Sequence, residues 1–119
     1  MGPMTPTPDD VLRTFCTEVA AAGALWTMWS DKSIAVFSSE DGETAVPFWS
    51  TRERCAEFLS SQGKLESCSP IQIPWDLFRR VWVQSTIPPE ADLGINWLGP
   101  GQKCWATREE VIAGVESAT

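Results

Sequence analysis

The sequence predicts an α+β domain: a small, mainly antiparallel sheet of about five strands, packed with about four helices. The strands divide into an N-terminal three-strand meander and a C-terminal hairpin. Three observations carry this reading. Capped, amphipathic segments stand at both ends of the chain. Short apolar runs separated by polar turns follow the first of them. In the middle, Pro47-Phe48-Trp49-Ser50-Thr51-Arg52-Glu53 passes from an extended apolar run directly into a helix start.

Residues 1–7 read as a flexible leader, and residues 8–119 as one domain, long enough to bury a core without metal or disulfide staples. Thr7 caps the first helix, Pro8 takes its first position, and Asp9 and Asp10 sit where carboxylates complement the helix dipole. Val11, Leu12, Phe15, Cys16, Val19 and Ala22 form its apolar stripe, and Gly23 ends it. The meander follows as residues 25–29, 34–37 and 44–49, turning at Asp31-Lys32 and Asp41-Gly42. A helix over about 51–62 puts Cys55, Phe58, Leu59 and Gln62 on one face, and Gly63 closes it. Residues 69–73 read as a short extended piece between Pro70 and Pro74. A third helix then carries Trp75, Phe78 and Trp82 on one stripe until Pro88-Pro89 stops it. Residues 92–98 and 103–105 form the hairpin around Gly99-Pro100-Gly101, and residues 107–117 the last helix on Val111, Ile112 and Val115.

Two junctions share a pattern. Trp49-Ser50-Thr51-Arg52-Glu53 and Trp105-Ala106-Thr107-Arg108-Glu109 have Trp, Thr, Arg and Glu in the same register. Ser50 with Glu53 has capping-box spacing, although Thr51 competes for the cap. Thr107 with Glu110 is a capping box, and Ala106 with Val111 has staple spacing. Five residues are a thin basis for duplication, and convergence on one strand-to-helix solution is the simpler account.

The net charge of −7 argues against a nucleic-acid surface, which needs a basic stripe. No apolar run approaches a membrane span, residues 1–10 lack the pattern of a signal peptide, and Pro6 spoils the myristoylation motif. The four cysteines, at 16, 55, 68 and 104, lack a close-spaced pair, so neither a zinc site nor a disulfide framework is indicated. Cys16 and Cys55 fall on apolar helix faces, Cys68 is the one most open to solvent, and reduced thiols suit a cytoplasmic setting.

The chain resembles an uncharacterised bacterial family, domain of unknown function 2750. The resemblance rests on Leu25-Trp26 ahead of a strand, Pro47-Phe48-Trp49 leading into a helix with Ala56, Phe78 after a proline-bounded strand, and Gly94-Ile95-Asn96-Trp97. It spans roughly residues 10–115. It implies a compact bacterial cytoplasmic domain and transfers no catalytic residues.

No histidine is present, which removes the Ser-His and Cys-His nucleophile pairs. No Gly-rich phosphate loop is present either, and the carboxylate pairs Asp9-Asp10 and Glu109-Glu110 belong to helix first turns. The expectation is a protein that is not an enzyme and takes no cofactor. Seven Trp and no Tyr are the unusual feature, and a core of this size leaves some indoles partly exposed. Trp29, Trp97 and Trp105 are the candidate interface residues, with Arg79 and Arg80 as rim or cation–π partners. The expected function is a non-catalytic protein-binding module whose acidic balance suits a basic partner, in a neutralising or regulatory role. A Trp-lined small-molecule pocket (or an enzyme built on one) and a structural homodimer are the alternatives.

Overall fold

The structure is a computed structural model, and it describes residues 7–30, 33–34, 36–38, 42–62, 68–97 and 104–119. The expected leader, the turn at Asp31-Lys32, Gly63 as a helix stop, and the Gly99-Pro100-Gly101 turn lie outside those residues, except for Thr7 of the leader.

Helix α1 (Pro8–Ala22) forms as its sequence requires. The Thr7 hydroxyl accepts the Asp10 amide at 3.2 Å while the Asp10 carboxylate accepts the Thr7 amide at 3.4 Å, a complete capping box. Gly23 takes the left-handed conformation at φ 71° and donates to the Val19 carbonyl at 2.7 Å. Phe15, Cys16 and Val19 are buried on its inner face, whereas Ala22 at the end of the expected stripe is exposed.

Seven strands follow among the described residues rather than five. They are β1 (Ala24–Ser30), β2 (Ser33–Ile34), β3 (Phe37–Ser38), β4 (Thr44–Phe48), β5 (Cys68–Pro74), β6 (Asp92–Ile95) and β7 (Cys104–Ala106). They build two sheets, ordered β2-β1-β5 and β3-β4-β6-β7. Two corrections to the expected strands explain the count, the first within the meander. Its second strand is divided: Ile34 pairs with Trp29 in one sheet, while Phe37 pairs with Ala45 in the other. The piece at 69–73 is a full strand, β5, antiparallel to β1 over all seven residues. Alternation in a sequence assigns faces to side chains, but it does not choose the neighbouring strand. The sheets also hold one parallel pair, β4 with β6, matching Val46 to Leu93 and Phe48 to Ile95. Parallel strands need a long crossover, and here α2, β5 and α3 all lie within it.

The two sheets meet at Trp26 and Trp49, whose backbones exchange a pair of 2.8 Å hydrogen bonds. Beside this bridge the buried Thr27 hydroxyl donates to the Pro47 carbonyl at 2.7 Å.

Helix α2 (Arg52–Gln62) and helix α4 (Arg108–Ala118) lie where expected. Helix α3 differs. It begins as one α-helical turn, Trp75–Leu77, and runs on as a π-helix, Phe78–Thr86. The buried residues Phe78, Trp82 and Ile87 are spaced by four and then five positions, wider than an α-helical stripe. The Ile87 amide bonds to the Trp82 carbonyl at 2.9 Å, five residues back, as π geometry requires.

Strand parity sorts the core into two clusters. Leu25, Val46, Phe48, Ile73, Leu93, Ile95 and Ala106 point to one side, where α1, α3 and α4 add Phe15, Val19, Phe78, Trp82, Val111 and Val115. Met28, Ala45 and Trp49 point to the other, where α2 adds Cys55 and Phe58, and Trp97 joins them. Three helices therefore cover one face, and α2 covers the other. Burying each of these large apolar side chains is worth about 1.5–3 kcal/mol against leaving it exposed.

Candidate functional site

The carboxyl ends of the parallel strands β4 and β6 lie side by side at the start of α2, an arrangement that often positions functional groups in open sheets. Four polar side chains converge there. Ser50 follows β4, Asn96 follows β6, Arg54 is on the first turn of α2, and Glu18 reaches over from α1.

Asn96 has a positive φ of 47°, the only such non-glycine among the described residues. Its amide donates to the Phe48 carbonyl at 2.9 Å, and its side-chain oxygen accepts the Ser50 amide at 2.9 Å. Its side-chain nitrogen donates to the Ser50 hydroxyl at 3.1 Å. That hydroxyl in turn donates to Glu18, whose two carboxylate oxygens accept Nε and Nη2 of Arg54 at 3.2 and 3.3 Å. Burial opposes ionisation of Glu18, but the hydrogen bonds from Ser50 and Arg54 and the guanidinium charge outweigh it. The carboxyl is held below its ordinary value.

The sharp turn at Asn96 throws Trp97 back across Gly94, where a Cβ would meet the indole at 2.5 Å. Only glycine leaves that space, which gives Gly94-Ile95-Asn96-Trp97 its physical sense. The Trp97 carbonyl accepts Nε1 of Trp49 at 2.8 Å, and Nε1 of Trp97 donates to the Cys104 carbonyl at 2.9 Å.

Ser50 is therefore not the cap of α2. Its hydroxyl is spent on Glu18 and Asn96, and Thr51 caps instead, accepting the Arg54 amide at 3.2 Å. The cluster's polar atoms satisfy one another, and a carboxylate stabilised in its ionised form is a weak base. Chemically this is a latch that ties α1, the β4–α2 junction and β6 together.

The residues singled out in the sequence do not share one surface. Trp97 is 1% exposed, so the expectation of partial exposure fails there: it lies under Phe37, Phe58 and Trp105. Trp29 and Trp105 are each half-buried, but they belong to different sheets and pack against different core clusters. Trp29 sits edge-on to Trp82, and Trp105 against Trp97. Arg79 and Arg80 are exposed on α3 and pair with carboxylates, Arg79 with Glu116 at 3.1 Å and Arg80 with Asp76 at 2.7 Å.

Helix α3 carries a feature that tryptophan content does not reveal. Leu77 and Val81 are 39% and 41% exposed, one turn apart and next to the Asp76–Arg80 pair. The expected stripe of Trp75, Phe78 and Trp82 hid them, because an outer-face leucine and valine carry no periodic signal of their own. Trp75 is half-buried and stacks on Phe78, its ring centroid 5.3 Å away.

Cys16 and Cys55 are buried, and burial raises both thiols, Cys55 to about 12 with the nearby Cys68 contributing. Cys68 is half-buried against the Trp49–Trp97 cluster and Cys104 is half-buried too, so both are more open than Cys16 and Cys55. A groove of about 330 Å³ runs between α1 and α4, with Leu12, Cys16 and Gly114 among its lining and no tryptophan. Among the described residues no helix is long and apolar enough to cross a membrane.

No curated protein and no solved structure matches this chain. The resemblance seen in Leu25-Trp26, Pro47-Phe48-Trp49 and Gly94-Ile95-Asn96-Trp97 is borne out by a family model that matches residues 12–113 of the 119. The chain belongs to the family described as Protein of unknown function (DUF2750).

Proposed function

We propose that this chain is a non-catalytic protein-binding module whose contact surface is the outer face of α3, acting in the bacterial cytoplasm, where its thiols stay reduced. The observation that carries the reading is the exposure of Leu77 and Val81 on one helical face, flanked by charged pairs. An apolar centre inside a polar rim is the layout of a recognition patch. Arg79 and Arg80 keep the rim role expected of them, while Leu77 and Val81 replace the tryptophans as the apolar centre. A regulatory or neutralising role follows the same logic, since occupying a partner's surface needs no catalytic group. The latch at Glu18, Ser50, Arg54 and Asn96 supports this reading from the other side, because its groups are turned on one another.

A pull-down from lysate of the source organism, at low salt and at about 0.15 M, tests it, because screening at the higher salt removes contacts held by charge alone. The expected result is a stoichiometric protein retained by the wild-type chain at both salts and lost by a folded Leu77→Asp/Val81→Asp variant. Full retention by that variant would overturn the reading.

A further inference from the structure

We propose that the partner seated on α3 is a second copy of this chain, the two α3 helices crossing antiparallel about a two-fold axis near residues 78 and 79. The proposal rests on the reading of α3 as the docking face. Two properties of the patch select this occupant.

The first is charge. The chain carries a net −7, yet the charges around Leu77 and Val81 cancel, Asp76 against Arg80 and Arg79 against Glu116. A strongly basic partner is drawn to the acidic surplus elsewhere, and this face offers it nothing. Two acidic copies, by contrast, repel least where each is locally neutral.

The second is symmetry. A two-fold contact uses the same patch twice, so the patch must complement itself. Asp76-Leu77 and Arg80-Val81 repeat an acid-apolar and a base-apolar pair four residues apart, on one face of the helix. Antiparallel crossing sets Asp76 of one copy beside Arg80 of the second copy, and Leu77 beside Val81 of the second copy, at both ends of the contact. The side chains of Asp76 and Arg80 are 73% and 69% exposed, so each can turn from its partner in the helix to the one across the axis. One helix face is a small interface, and the dimer is expected to be reversible, with micromolar or weaker affinity.

Sedimentation equilibrium of the full chain, in a concentration series reaching the millimolar range at low salt, reads this out. The wild type is expected to follow a monomer–dimer equilibrium. Asp76→Arg and Arg80→Asp should each weaken it about tenfold or more, because like charges then face each other at both ends. An equimolar mixture of those two variants should dimerise again, with two cations of one chain against two carboxylates of the other. That recovery also shows that both variants are folded. A wild type that stays monomeric throughout overturns the second copy as partner, while the pull-down still judges the α3 face independently. A dimer that survives both Asp76→Arg and Leu77→Asp sits elsewhere and overturns the proposal as well.

Discussion

The junctions at Trp49 and Trp105 begin from nearly the same five residues and end in different roles. Both turn a strand into a helix, and in both the threonine caps: Thr51 accepts the Arg54 amide, Thr107 the Glu110 amide. These are contacts within three residues, and they repeat because the local sequence repeats. Everything farther away differs. Trp49 is fully buried, packed on Phe58 and bonded to the Trp97 carbonyl, because β4 is an interior strand and α2 lies over it. Trp105 is only half-buried, because β7 ends the sheet. Ser50 joins a buried polar latch, whereas its counterpart Ala106 packs in the core near Val111, as the staple spacing predicts. Arg52 is exposed. Arg108 instead donates to the carbonyls of Val83, Ile87, Pro88 and Ala91, gathering the end of the π-helix and the loop beyond it. A short motif thus repeats its own hydrogen bonds, but the sheet decides what its side chains hold together.

Paired substitutions at matching positions can break this contrast. The largest difference should come from the tryptophans. Trp49→Ala is expected to cost about 3–5 kcal/mol, and Trp105→Ala about half as much, read from urea unfolding at a common slope. Equal costs would mean that β7 is as well covered as β4. Next come the arginines. Arg108→Ala leaves carbonyls without their donor and should cost about 2–3 kcal/mol, with little rescue by lysine, which lacks the planar fork. Arg52→Ala should stay within about 0.5 kcal/mol, as for an exposed residue away from special contacts. Thermal melts of Arg108→Ala, Arg108→Lys and Arg52→Ala would show it, and a silent Arg108→Ala would remove the carbonyl cage as a stabilising feature. The smallest effect sharpens the shared part: Thr51→Ala and Thr107→Ala should each cost about 1 kcal/mol, alike within error. A clear inequality would show that tertiary context reaches the caps too.

The first and last helices were legible because their signals are local. Thr7, Pro8, Asp10 and Gly23 describe a helix with both ends closed, and the structure closes them with those residues. The capping box at Thr107 is equally self-contained. Where two local solutions competed, sequence could not choose. Ser50 and Thr51 both suit a cap, and Asn96 and Glu18, 46 and 32 residues away from Ser50, draw the serine off. The π-helix was illegible for a similar reason: Trp75, Phe78 and Trp82 also satisfy an α-helical stripe, and only Ile87 and the Arg108 contacts distinguish the wider turn. The exposed pair on α3 has no signal in the tryptophan content, and the indoles of the two sheets mostly face inward or pack against one another.

The sequence by itself determined the α+β class, the family, the caps of the first and last helices, and which side chains share a face along each strand. Those follow from hydrogen bonds within a few residues and from the twofold and 3.6-fold repeats of the backbone. Tertiary structure decided which strands are neighbours, how the expected second strand divides between sheets, and where Trp97 and Ser50 go. It also decided that, among the described residues, the large apolar side chains left exposed are Val36, Leu77 and Val81 rather than a tryptophan face. Such choices depend on partners tens of residues away, and the alternation that gives a strand its two faces is the same whichever neighbour it meets.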